Sequence, residues 1–140
     1  MSLHIRLQGS TDWEGEKPSE RDRLSERFIG QIDVETQGVT LMIKNIPNKY
    51  TRAMLIEQLQ EKWINTGFVN FLYMPIDFNT ECNVGYCFLN FRMQEQADAF
   101  TEIWHGSHTK TILPGYNSAK IISVNRATVQ GLENNMERLK

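Results

Sequence analysis

The stretch NVGYCFLNF, residues 83–91, constrains the fold more than any other part of the chain. Large apolar residues follow a glycine in an unbroken strand-like run, and alternate residues of a β-strand point to opposite faces of its sheet. Gly85, Cys87, Leu89 and Phe91 form one set, suited to a buried core. Val84, Tyr86, Phe88 and Asn90 form the other. Two aromatic rings on the second face are poorly explained by folding alone, so the elements around the strand decide what those rings meet.

Upstream, VTLMIKNI from Val39 alternates and is rich in β-branched residues, which predicts a strand. PNKY breaks it, Thr51 is the expected N-cap, and Met54, Leu55, Leu59 and Trp63 recur at helical spacing. Gly67 ends that helix; FVNFLYMPI is the next strand, with Pro75 suited to a sheet edge. After the polar loop DFNTECN and the strand VGYCFLNF comes a second helix, QEQADAFTEIWHG, with Ala97, Phe100, Ile103 and Trp104 on one side. SHTKTILPGYNS is expected as a long loop holding a small hairpin, and AKIISVN as a fourth strand. In TVQGLENNMERLK, Val129, Leu132, Met136 and Leu139 share one helical face, with Gly131 setting a start after itself.

The order β-α-β-β-α-β predicts an α+β, ferredoxin-like fold. Both main helices then lie on one face of a four-stranded antiparallel sheet, and the other face is left open. The predicted domain spans residues 39–127. Residues 128–140 are expected as a C-terminal helix packed on or beside it. Residues 1–38, rich in Ser, Glu, Arg, Asp and Gly, read as a flexible polar extension with a short helix around SERDRLSERFI.

Charge limits how a nucleic acid could be held. The chain has a formal net charge of −2. Residues 1–38 carry five basic and eight acidic side chains, which leaves ten basic and nine acidic ones in residues 39–140. A domain this close to neutrality does not bind polyanions by bulk electrostatics, so stacking and hydrogen bonding would have to carry the affinity. The two cysteines, Cys82 and Cys87, suggest no disulfide framework, and an intracellular compartment, nucleus or cytoplasm, is expected. The start of the chain lacks the apolar core of a secretory signal. His4, His105 and His108 have no zinc-like spacing with the cysteines, and no phosphate loop or nucleophile motif occurs. No cofactor, metal site or enzyme activity is predicted.

VGYCFLNF resembles the long conserved motif of the RNA recognition motif, and LMIKNI its short companion on the first strand. TLMIKNIPNKYT, FLYMPIDF, CNVGYCFLNF and the late VQG together resemble the C-terminal RNA recognition motif of the Mei-two-like meiosis regulators. That resemblance covers the chain from about Val39 to Leu139. It implies single-stranded RNA binding by a regulator of meiosis or differentiation. In such motifs, aromatics on the two central strands stack two or three bases.

Carried onto this sequence, the stacking positions fall on Tyr86 and Phe88, and the outward position of the short motif on Met42. Met42 and Val84 depart from the general pattern, which has an aromatic and a basic residue there. Alternation adds Phe71 and Tyr73 on the second strand and Lys44 on the first. Lys49 in the turn and Lys120, Asn125 and Arg126 around the fourth strand complete the candidate RNA-binding set. For Tyr86 and Phe88 the competing expectation is packing beneath the C-terminal helix. For the domain as a whole it is a protein-interaction or dimerisation module on the same fold, which near-neutral charge, Met42 and Val84 favour.

Overall fold

The computed structural model describes residues 4–9, 37–116 and 118–139, the first segment by its backbone only. The helix expected around SERDRLSERFI lies outside the described residues. Within them the strands are β1 (His4–Gly9), β2 (Val39–Lys44), β3 (Val69–Ile76), β4 (Tyr86–Phe91) and β5 (Ser123–Arg126). The helices are α1 (Arg52–Leu59), α2 (Gln94–Trp104), the single turn α3 (Thr109–Ile112) and α4 (Leu132–Arg138).

The sheet order is β1-β3-β4-β2-β5. Strands β2 to β5 pair antiparallel, as the β-α-β-β-α-β order requires. The α+β ferredoxin-like fold is therefore the observed one. β1 adds a fifth strand, parallel to β3, from within the segment expected to be a flexible extension. A strand there was not legible, because HIRLQG is short and mostly polar. Pro75 consequently does not sit on an edge strand: it pairs with Gln8. Its carbonyl accepts from Val84 N at 3.3 Å, so its missing N–H also points towards β4, and the β1 ladder loses nothing by it.

Local signals explain the helix ends. Thr51 Oγ1 accepts from Met54 N at 3.1 Å and caps α1. The chain then passes through a π turn, Gln60–Ile64, which carries Trp63 into the core. Gln96 Oε1 accepts from Met93 N at 3.2 Å at the start of α2. The expected hairpin after α2 is instead the turn α3, tied back by a bridge between His108 and Ile121.

One face of the sheet packs on α1 and α2. Leu41, Ile43, Leu72, Met74, Cys87, Leu89 and Phe91 meet Leu55, Leu59, Trp63, Ala97, Phe100 and Trp104. Ile103, expected among them, is exposed. The aromatic centre is tight: Phe100 lies 4.6 Å from Trp104, 5.0 Å from Phe91 and 5.1 Å from Trp63, centroid to centroid. Burial raises the pKa of the Cys87 thiol, so it stays protonated and packs as a small apolar group. Replacing Phe100 with alanine removes the ring shared by three aromatic partners. Chemical denaturation should show a loss of about 3–5 kcal/mol; a loss below ~1 kcal/mol would mean that this cluster does not hold the helices to the sheet.

Candidate nucleic-acid interface

The second face of the sheet carries the predicted site. Register places Tyr73, Phe88, Met42 and Asn125 in one row across β3, β4, β2 and β5. Towards one end, Tyr86, Lys44 and Ser123 form the next row. Towards the other lie Phe71, Asn90 and Thr40. The alternation read from the sequence for β2, β3 and β4 is thus the observed one. Tyr73 and Phe88 stack at 6.0 Å with an interplanar angle of 15°, and Tyr86 meets Phe88 edge-on at 5.7 Å.

This face is not open, which corrects the expectation. Met42, Phe71, Tyr73 and Phe88 are at most 6% exposed. Ala127 and Val129 pack on them with Leu132, Met136 and Leu139 around α4. The shared apolar face of the C-terminal helix has found the aromatic rings, since in water neither surface is stable uncovered. Tyr86 is half-buried at the margin of this cluster; Lys44 and Asn125 are exposed.

Apolar contact is not all that holds the cover. The Thr40 hydroxyl, fully buried, donates to Asn90 Oδ1 at 2.7 Å and accepts from Gly131 N at 3.0 Å and Asn135 Nδ2 at 2.9 Å. Gln130 imitates a neighbouring strand: its Oε1 accepts from Thr40 N at 2.9 Å and its Nε2 donates to Thr40 O at 2.7 Å. Nε2 also donates to Ala127 O at 2.7 Å. Asn90 Nδ2 donates to Asn70 Oδ1 at 2.9 Å and to Gln37 O at 3.0 Å. Gly131, with φ +93°, turns the chain between Gln130 and α4; a Cβ there would sit 2.9 Å from Gln37 Cβ. Asn135 Oδ1 is the buried acceptor in this network without a hydrogen-bond donor among the described residues.

Of the remaining candidates, Lys49 lies in the turn after β2 and Lys120 just before β5, both exposed at the Lys44 end of the sheet. Lys120 Nζ donates to Asn48 Oδ1 at 2.8 Å. Arg126 does not join the set: it stands opposite Leu41, on the helix side of the edge strand β5. Asn125 Nδ2 donates to Ser123 Oγ at 3.0 Å. The loop after β2 is organised by Asn83. Asn83 Nδ2 reaches the carbonyls of Pro47 at 2.9 Å, Asn48 at 3.1 Å and Tyr50 at 2.8 Å. Asn45, with φ +70°, instead donates to Ile121 O at 2.8 Å. Burial first, then the charge of Glu57 and the neighbouring Tyr116, raise the pKa of Tyr50, whose hydroxyl donates to Pro114 O at 3.0 Å. Sequence reading missed Thr40, Asn90, Gln130 and Asn135 as a unit. VQG, noted only as a resemblance, was the one local hint of it.

A four-stranded antiparallel sheet with two helices on one side and aromatics at matched positions on its central strands defines an RNA recognition motif domain. The pattern of the RNA recognition motif 2 family matches residues 38–140, and the chain belongs to that family. It is 46% identical over 100 residues to Protein MEI2-like 5 of Arabidopsis thaliana, covering 71% of this chain and 12% of that protein. It is 45% identical over 97 residues to Protein MEI2-like 3 of the same plant, covering 69% and 12%. With Protein MEI2-like 5 of Oryza sativa subsp. japonica the identity is 41% over 106 residues, covering 76% and 12%. The chain thus spans about an eighth of the length of these relatives. Among solved structures, the Rna15 RNA recognition motif with bound GU RNA superposes with a TM-score of 0.51 at 17% identity. That match covers 71% of this chain and 94% of the other, a likeness of fold. Among the described residues no group of three or more His, Cys, Asp or Glu could hold a metal, and no helix is long and apolar enough to cross a membrane.

The Gln130→Ala variant tests the latch. It leaves the Thr40 N–H unpaired, at about 1–3 kcal/mol for a buried group, while the Thr40 carbonyl keeps its bond from Ala127 N at 3.0 Å. Amide hydrogen exchange in α4 should speed up well before that in β2 and β4, and urea unfolding should show the lost stability. Unchanged exchange in α4 would mean that apolar contact alone holds it.

Proposed function

We propose that this domain binds single-stranded RNA across the face bearing Tyr73, Tyr86 and Phe88, as part of a Mei-two-like regulator of meiosis or differentiation. The stacked Tyr73–Phe88 pair at the centre of the sheet, with Tyr86 beside it, is the observation that carries the proposal. Rings at these positions offer flat apolar surfaces to bases, at about 1–3 kcal/mol per base. Lys44, Lys49 and Lys120 lie at one end of the same sheet, where backbone phosphates would meet them. The relatives and the solved RNA recognition motif add support at the level of family and fold.

Because α4 covers the rings, binding there is coupled to moving the cover. A site open in ~1% of molecules binds about 100-fold more weakly than the bare site. Tyr86 and Lys44, at the margin, are the groups a strand meets first. Met42 lines the face without a π-system, so it supplies apolar contact rather than stacking. The buried state of this face also favours a second reading, in which the fold serves protein interaction and the aromatics serve the core.

Binding of labelled single-stranded RNA to the full chain and to residues 1–131 separates the two. The shorter chain should bind at least tenfold more tightly, and Tyr86→Ala with Phe88→Ala in it should weaken binding more than tenfold. Two or three phosphate contacts predict a log–log salt slope of roughly −1.4 to −2. No RNA binding by either folded chain at low salt would leave the protein-interaction reading.

A further inference from the structure

The cover helix α4 is short and begins without a cap of its own. It spans Leu132–Arg138, and the residue before it, Gly131, has no side chain to offer. A seven-residue helix does not hold itself in water, and its first turn leaves backbone N–H groups that need acceptors from elsewhere. The acceptor for Glu133 N is Gln37 Oε1, at 3.0 Å and 96 residues away in sequence. Gln37 therefore does for α4 what Thr51 does for α1, but from the far end of the domain.

Gln37 is itself fixed in place. Its carbonyl accepts from Asn90 Nδ2 at 3.0 Å, which ties it to β4. The next residue, Gly38, has φ +82°, and a Cβ on it would overlap Phe91 O. Only glycine fits so close to that strand, so backbone contact sets the path of the chain into β2. On the other side Gln37 Cβ lies against Gly131, where an added Cβ would sit 2.9 Å from it. The chain entering the domain and the chain leading into the cover thus share one joint. Gln37 also precedes residues 38–140, the stretch that the family pattern matches.

We propose that Gln37 is a positioning residue for the RNA face. It caps the cover from the entry side of the domain, so access to Tyr73, Tyr86 and Phe88 is set by the junction between the N-terminal segment and β2. This control rests on the RNA-binding reading above and adds to it. Shut and open forms of α4 differ in the bond from Glu133 N to Gln37, so anything that draws Gln37 away shifts the population towards the open form. The reverse holds as well: RNA seated on the rings lifts α4 and frees Gln37. The bonds between Gln130 and Thr40 precede α4 in the chain, so the junction loosens the helix without detaching the segment before it.

The test uses the full chain, with two readouts: amide hydrogen exchange, and anisotropy of a fluorescein-labelled, 12-nucleotide single-stranded RNA of randomised sequence. Gln37→Leu keeps the bulk of the side chain and removes the acceptor. Exchange in α4 should speed up while β2 and β4 keep their rates, and RNA should bind about fivefold more tightly, the population shift that one lost cap gives. Gln37→Glu keeps an acceptor, and a carboxylate suits a helix N-terminus, so it should restore slow exchange and wild-type affinity. A purely structural role would instead lower stability with no gain in affinity. Faster exchange in α4 without tighter binding overturns the proposal, and so does equal exchange in the wild type and Gln37→Leu. If residues 1–131 bind RNA more tightly than the full chain but Gln37→Leu does not, the control at the junction is wrong and RNA binding on the sheet stands. If neither the full chain nor residues 1–131 binds the RNA, both fall together.

Discussion

The buried hydroxyl of Thr40 joins the two layers of this domain. It donates to Asn90 on β4 and accepts from Gly131 and Asn135 of the C-terminal segment. A hydroxyl has one proton and two lone pairs, and all three are used. Gln130 adds two bonds to the backbone of the same residue. In a dry site each of these groups would cost free energy if left unpaired, so the bonds made by Thr40 support one another. Where residues 127–131 run, and therefore where α4 lies, follows from that joint.

Once the segment is anchored there, the sheet has an apolar layer on both sides. On one side α1 and α2 enclose the aromatic centre around Phe100. On the other, Leu132, Met136 and Leu139 meet Tyr86, Phe88 and Tyr73. The rings that a bare RNA recognition motif would offer to bases are here part of a second core. Their chemistry still suits stacking, but its use is conditional on a local opening, and such openings cost whatever the cover contributes.

Much of the fold was legible because it depends on local periodicity. The alternation of residues 86–91 assigned each side chain of β4 to its observed face. The helical spacing of Leu55, Leu59 and Trp63, and of Ala97, Phe100 and Trp104, marked the residues that are buried. Gly131, inside the segment 128–140 expected as a helix, was readable as setting the helix start after itself, and the last helix begins at Leu132. The site was legible as a set of positions but not as a surface. Tyr73, Phe88 and Met42 were placed on the correct face, yet their burial follows from a helix that starts over forty residues after β4. Arg126 was expected at the end of the fourth strand, among the groups just past it, but β5 runs through it, and one step along a strand from Asn125 reverses the side. β1 was missed because its pairing with β3 is a long-range contact that HIRLQG does not announce.

By itself, then, the sequence determined the order of elements, the two-sided pattern of each central strand and the family to which the domain belongs, since all three are written in residue types at short spacing. Tertiary structure alone decided which face of the sheet is covered and by what. An amphipathic helix specifies that its apolar side will be buried but not against which surface. Here the choice is made by polar atoms brought together from Thr40, Asn90, Gln130 and Asn135, residues as much as 95 positions apart, whose complementarity exists only once the sheet has formed.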